Sequence, residues 1–422
     1  GVRHTDLVAE HGSPAYVLDE ADFRTRARAF KEAFAAYDVF YAGKAFLCTA
    51  TARWAAEEGL NLDVCTGGEL AVAERAGFDM ARVGFHGNNK SLAELERAVT
   101  LGVGRVIIDS FHEIERLAEI AERLGRTTRV LVRVTAGVEA HTHEYIATAH
   151  EDQKFGFSIT NGQAFDAVRR VLEAPALELL GLHSHIGSQI FDSSGFEVAA
   201  RRVLALHAQI QSELGTVLPE LDLGGGFGIA YTTEDDPSEP KQLAAEMSEI
   251  VAHECRALGI AEPRLSIEPG RAIVGPSTCT VYEVGTVKQV ALDGGATRTY
   301  VSVDGGMSDN IRTALYDADY SCTLASRRSD AAPVLVRVVG RHCEAGDIVV
   351  NHEFLPGDVR PGDLVAVPGT GAYCRSMASN YNHALRPPVI AVRDGRTRVV
   401  VRRETEADLL ATDVGIDTGA DQ

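Results

Sequence analysis

Eight times between residues 38 and 271, a short run rich in β-branched residues gives way to small or polar residues and then to an amphipathic stretch. The runs fall at 39–44, 60–65, 82–86, 105–109, 130–135, 177–185, 221–225 and 264–268. Between them, stretches such as 67–76, 92–99, 113–124 and 196–214 space apolar residues three and four apart, the period of a helix with one buried face. Strands that alternate with helices pair in parallel, because each crossover helix returns the chain to the same end of the sheet. Eight such units over roughly 250 residues close into a (β/α)8 barrel of the TIM type. The longest gap, between the fifth and sixth strands, holds residues 137–157, rich in His and Glu, and reads as a loop inserted near the mouth.

After Pro276 the pattern changes to strand-like runs at 278–290, 299–304, 334–342, 347–350 and 363–367. A hairpin at 389–392 and 397–402, turning on Asp394-Gly395, closes the series. The expectation is an α/β protein of two domains: a barrel over 26–275 and a mostly β domain over 276–422, with 1–25 joining the β domain through the strand-like run 15–19. A chain of 422 residues exceeds one ordinary core, in agreement with two domains.

The 41 basic and 60 acidic residues give a net charge of −19, which argues against nucleic acid or an anionic membrane as partner. No apolar run reaches the eighteen or so residues that span a bilayer, and the first residues show no signal-peptide core. The seven cysteines are odd in number and form no C-x-x-C pair, so the expected setting is a reducing cytoplasm, without a disulfide framework or zinc site.

Barrel chemistry sits where strands end. Those positions carry Lys44, Asp63, His86, Asp109, Thr135, His185, Gly224–Gly226 and Glu268–Arg271, a concentration of ionisable groups and glycines that favours an enzyme. Lys44 lies among small and apolar neighbours in Tyr41-Ala42-Gly43-Lys44-Ala45-Phe46. Desolvation there would favour the neutral amine that Schiff-base chemistry requires, although a lone lysine at a strand end is more often a surface residue. The run Leu223-Gly224-Gly225-Gly226-Phe227-Gly228 fits no nucleotide motif, but consecutive glycines let backbone amides approach an anion. As a bare sequence it is as readily a tight turn. Glu268 and Arg271, three apart, are either an ion pair or a divided labour, with the carboxylate at a pyridine nitrogen and the guanidinium on a phosphate or carboxylate. His183 and His185, and likewise His141 and His143, have the i, i+2 spacing of a metal site, but no convergent Asp/His set completes either, and no metal is expected.

Taken together, segments 41–48, 62–70, 86–91, 183–191, 268–271, 302–316 and 342–347 resemble the fold-type III pyridoxal-phosphate decarboxylases, and among them the diaminopimelate decarboxylases of the actinobacterial branch. The resemblance runs from Gly12 to Glu404. It implies pyridoxal 5'-phosphate as cofactor and decarboxylation of meso-diaminopimelate to L-lysine, the last step of lysine biosynthesis. Lys44 is then the cofactor anchor. Asp63, His86, His185, Ser188, Gly225, Gly226, Glu268, Gly270, Arg271 and Tyr373 are cofactor-binding, with His185 stacked on the ring. Arg271, Arg312, Tyr316, Glu344 and Tyr373 are substrate-binding. Cys343, as proton donor, and Glu344 would come from the second subunit of a homodimer. This chain has Ala345 where the family usually has Ser, and Gly43 where Ala, Leu or Val is commoner; neither change removes a functional group. The competing readings are a decarboxylase of another basic amino acid, an alanine-racemase-like enzyme, a non-catalytic cofactor carrier and a metal-dependent hydrolase. A racemase uses a tyrosine where this chain has Cys343-Glu344, and a carrier lacks the β domain.

Overall fold

The computed structural model describes residues 1–137, 154–185 and 187–415. The 141–143 histidines and most of the expected inserted loop lie outside these. The described residues form two compact units. One comprises Arg24–Ile229 and Asp236–Ile273; the other comprises Gly1–Phe23, Ala230–Asp235 and the chain from Val274 onward. Strand β1 (Ala15–Asp19) belongs to the second unit.

The first unit is a closed barrel. Its strands are β2 (Asp38–Ala42), β3 (Asn61–Val64), β4 (Val83–Phe85), β5 (Arg105–Ile108), β6 (Thr128–Thr135), β8 (Leu177–His183), β9 (Glu220–Asp222) and β10 (Arg264–Ile267), with a two-residue β7 (Phe157–Ser158) attached to β6. All pair in parallel, and the β10–β2 register, Ile267 opposite Val39, closes the ring. Strands such as β5, with Val106-Ile107-Ile108, read as apolar runs because the sheet is covered on both faces. Helix starts are written locally. Ser91 caps the helix Leu92–Leu101 by accepting from the Glu94 amide while the Glu94 side chain returns to Ser91, and Gly102 ends it at φ +68°. Phe227, which ends the glycine run, is buried with its ring 5.2 Å from Phe30 and 5.5 Å from Phe196. The aromatic cluster thereby fixes the glycines at the mouth.

The second unit is built on β11 (Thr278–Ala291), β12 (Thr297–Val303), β13 (Thr323–Leu324), β14 (Pro333–Val339), β15 (Ile348–Pro356), β16 (Leu364–Pro368), β17 (Val389–Arg393) and β18 (Arg396–Val401). Along the mixed sheet the order is β15-β14-β12-β11-β1-β17-β18, with β16 also pairing β11. β1 runs antiparallel to β11 and parallel to β17, so a segment from the start of the chain occupies the middle of this sheet. Leu7, Ala15, Val17, Val281, Leu364, Ala366 and Ile390 form one of its cores. The excursion Ala230–Asp235 breaks the strand–helix rhythm of the barrel, and nothing in the sequence pattern marks it.

Candidate active site

Within the barrel the strand ends bring Asp63, His86, His183 and Glu268 together. The His183 Nε2–H donates to Glu268 Oε1 at 2.9 Å. Nε2 of His86 lies 3.4 Å from the same oxygen and 3.2 Å from Asp63 Oδ1. Burial holds both imidazoles neutral, pushing His183 down to about 3 and His86 well below its ordinary range. Each therefore has one proton to give; that of His183 goes to Glu268 Oε1, while His86 Nε2 stands between Asp63 Oδ1 and that same oxygen. Glu268 Oε2 makes no hydrogen bond to a described residue. Burial, then the charges of Glu268 and Asp222, raise Asp63 well above the carboxylate range. Asp222 is pushed up to about 6 by burial, and it accepts from the Gly224 amide and the Ser266 hydroxyl at 2.8 and 2.9 Å.

The ligand atoms of His86, His183 and Glu268 all lie within 4.8 Å of one another, close enough to share an ion. With His183 donating to Glu268 Oε1 and both imidazoles held neutral by burial, a hydrogen-bonded cluster accounts for the close approach without one. Sequence spacing paired His183 with His185 instead. The strand ends at His183, so period-two alternation no longer governs His185, and the two rings take separate partners. His185 accepts at Nδ1 from the Gly225 amide, 3.0 Å away, which leaves its proton on Nε2 and fixes the ring plane.

The glycine run divides its amides. Gly224 donates to Asp222 and Gly225 to His185, while the Gly226 amide has no partner among the described residues. A Cβ at Gly226 would stand 2.6 Å from Gly187 O, at φ +104°, so only glycine fits. Arg271 donates to Ser188 Oγ at 2.8 Å, which puts a buried cation and a hydroxyl side by side. An uncommitted amide, this pair, the open oxygen of Glu268 and the buried, unbonded Asp63 Oδ2 suit a flat heteroaromatic group with a phosphate.

The sequence argument for a desolvated Lys44 does not hold. The strand ends at Ala42, the Gly43 amide bonds Asp63 O at 2.9 Å, and this turn carries Lys44 out to an exposed position. A Cβ at Gly43 would lie 2.7 Å from Asp63 O, which accounts for glycine here. The Lys44 charge is nonetheless felt at Asp63, Cys65 and Glu69.

Sequence reasoning passed over several buried charges. Arg133 on β6 faces Asp109 at 3.9 Å and stacks on Phe155. Lys90 Nζ donates to Gly87 O, Ile107 O and Glu113 Oε1 at 2.7, 2.7 and 2.6 Å, and the other Glu113 oxygen accepts from the Asp109 amide. A lysine seventeen residues before its carbonyl acceptor gives no periodic signal.

In the second unit, Arg312 opens the short helix Arg312–Tyr316, so Arg312 and the half-buried Tyr316 lie one turn apart. Arg312 is 4% exposed, donates to Tyr320 Oη at 2.5 Å and stacks over the Tyr231 ring at 4.8 Å. Cys343 and Glu344 stand exposed in a turn whose Asp347 carboxylate accepts from the His342 amide within the turn and from the Met307 amide outside it. Tyr373 is half-buried at φ +65°, a backbone conformation that costs a non-glycine residue about 1–3 kcal/mol and concentrates at functional positions. Nearby, Asp309 is buried, accepts from the Tyr282 hydroxyl and the Gly306 amide, and is pushed up to about 7 by burial.

The fold and the strand-end chemistry define a barrel enzyme of the pyridoxal-phosphate class. A family model described as "Pyridoxal-dependent decarboxylase, pyridoxal binding domain" matches residues 20–275. Diaminopimelate decarboxylase of Mycobacterium tuberculosis is 57% identical over 419 residues, covering 98% of this chain and 94% of that protein. A crystal structure of diaminopimelate decarboxylase from M. jannaschii superposes with a TM-score of 0.91 at 29% identity, over 99% of this chain and 95% of that one. The Helicobacter pylori enzyme complexed with L-lysine gives 0.88 at 29%, over 97% and 98%. The chain belongs to the diaminopimelate decarboxylase family. No helix among the described residues is long and apolar enough to cross a membrane.

Proposed function

We infer that the protein removes one carboxyl group of meso-diaminopimelate to give L-lysine, using pyridoxal phosphate. Bound pyridoxal phosphate supplies an electron sink for the carbanion left when carbon dioxide departs. Lys44 would anchor the cofactor aldehyde, and Gly226, Ser188, Arg271 and Tyr373 would hold the phosphate. His185, its plane set by the Gly225 amide, would stack on the ring.

The observation that carries the reading is Glu268. Its Oε1 receives His183 and has His86 within 3.4 Å, so Oε2 is the oxygen left to accept the pyridine N–H and keep that proton in place. Arg312 and Tyr316 grip a carboxylate. Cys343 of the partner subunit returns a proton to the α-carbon, and Glu344 of the partner subunit holds the distal ammonium. A diamino-monoacid would leave a buried arginine without its anion, a cost of roughly 1–3 kcal/mol. The family resemblance supports a homodimer with shared sites, and the seven cysteines without a C-x-x-C pair support a reducing cytoplasm.

Carbon dioxide release from meso-diaminopimelate is the test, with Lys44→Ala alongside. Wild-type protein forms lysine, the variant does not, and chelators leave the rate unchanged. A wild type that binds cofactor without releasing carbon dioxide overturns the substrate, and loss of activity on chelation revives a metal at His86, His183 and Glu268.

A further inference from the structure

Arg312 sits in an aromatic clamp that no catalytic step above uses. Its guanidinium lies over Tyr231 at 4.8 Å and near the Tyr320 ring at 5.7 Å, while the two rings meet edge-on with centroids 5.1 Å apart. One terminal nitrogen is committed to Tyr320 Oη, and the buried Nε has no hydrogen-bond partner. No carboxylate pairs with this cation among the described residues, although the chain carries 60 acidic side chains. Neutral aromatic faces stabilise a guanidinium without neutralising it, so its charge remains available to an arriving anion.

Both tyrosines are themselves fixed. Tyr231 lies in the excursion Ala230–Asp235, where the Asp235 carboxylate accepts from the Tyr231 and Thr232 amides at 2.9 and 3.0 Å. The Ser321 hydroxyl donates to the Tyr231 carbonyl. Tyr320 Oη stands 3.7 Å from Cys374 Sγ, whose thiol donates to Asn310 Oδ1, and that same oxygen accepts from the Arg312 amide. The polar chain thus begins and ends on Arg312: backbone amide, Asn310, Cys374, Tyr320, guanidinium.

We propose that Tyr320 and Tyr231 are positioning residues for substrate specificity, holding Arg312 charged, desolvated and aimed so that it selects ligands bearing a carboxylate. This rests on the reading of Arg312 as the grip on the substrate's distal carboxylate. That carboxylate survives decarboxylation and becomes the carboxylate of L-lysine, so substrate and product feel the clamp equally. A diamine such as cadaverine, with no carboxylate, does not feel it.

The experiment compares KM for meso-diaminopimelate and the inhibition constants of L-lysine and cadaverine across four variants of the holoenzyme. Tyr320→Phe keeps the ring and loses the hydroxyl. It is expected to raise KM and the L-lysine constant together by roughly tenfold, the size of one hydrogen bond to a charged group, with kcat within about twofold and cadaverine unchanged. Tyr231→Leu, which removes the face under the cation, shows the same split, and Tyr231→Phe behaves as wild type. Arg312→Ala loses the preference for L-lysine over cadaverine altogether. Calorimetric L-lysine binding on variants whose thermal unfolding matches wild type separates clamp from fold. Unchanged L-lysine affinity in Tyr320→Phe and Tyr231→Leu, with Arg312→Ala impaired, overturns the clamp alone. Unchanged L-lysine affinity in Arg312→Ala overturns the reading of Arg312 itself. Equal weakening of cadaverine in the tyrosine variants shows general disruption and also sinks the clamp.

Discussion

Replacing Lys90 by Met should cost the barrel about 3–5 kcal/mol, the usual consequence of stranding one member of a buried ion pair. Both side chains of the Lys90–Glu113 pair are 1% exposed, so solvent cannot take over either charge. Lys90 also donates to the carbonyls of half-buried Gly87 and buried Ile107, and both lose that donor. Burial already raises Glu113 and the Lys90 charge opposes that rise, so in Lys90→Met the carboxyl climbs further. Its folded-state pKa then lies above the unfolded one, and the variant's deficit grows as pH rises through that interval. The double variant Lys90→Met, Glu113→Leu removes the stranded charge and should be more stable than Lys90→Met by about 2 kcal/mol, a non-additivity typical of contacting residues. The two carbonyls keep it below wild type. Trp54, the one tryptophan of the chain, is buried in the barrel, so its fluorescence in urea reports this unit directly at fixed cofactor concentration. A single variant within about 1 kcal/mol of wild type, or a double variant costing the sum of both singles, would refute the reasoning.

Two further outcomes are expected. His183→Leu removes the firmer donor to Glu268 Oε1 and should speed cofactor dissociation, followed by absorbance, roughly tenfold, while His183→Gln, which keeps an N–H near that oxygen, recovers most of the loss; equal retention in both variants would remove His183 from the site. Asp309, pushed up to about 7, keeps a proton in the folded state that the unfolded chain releases from about pH 4, so the unfolding free energy of the β unit should fall as pH rises between those values. Asp309→Asn should flatten that slope; a slope identical to wild type would place the titration elsewhere.

The barrel was legible because both faces of its strands are covered, and apolar runs such as Val106-Ile107-Ile108 stand out against the helices around them. The strand ends pointed to Glu268 and to the glycine run for the same reason: topology alone aims them at the mouth. What stayed hidden depends on partners distant in sequence. His183 was legible as half of a His-x-His pair, yet its partner is Glu268, 85 residues on. Lys44 looked desolvated because its neighbours are apolar, yet after the turn at Gly43 it stands exposed while its charge still reaches Asp63 and the site histidines. Tyr231 and Tyr320 carry no motif, and their common purpose emerges only when a buried guanidinium is found between them.

The central place of β1 has a consequence for biosynthesis. Tyr16 pairs with Val389 on one side and Thr280 on the other, so about 370 residues must leave the ribosome before that strand finds its last neighbour. The barrel needs nothing from beyond Ile273 and is complete while the opening strand still waits. During that interval an apolar segment with both edges open is exposed to any other strand, including those of neighbouring nascent chains. Relocating residues 1–23 after the closing hairpin by circular permutation would bring β1 and β17 close in sequence and should shorten the wait.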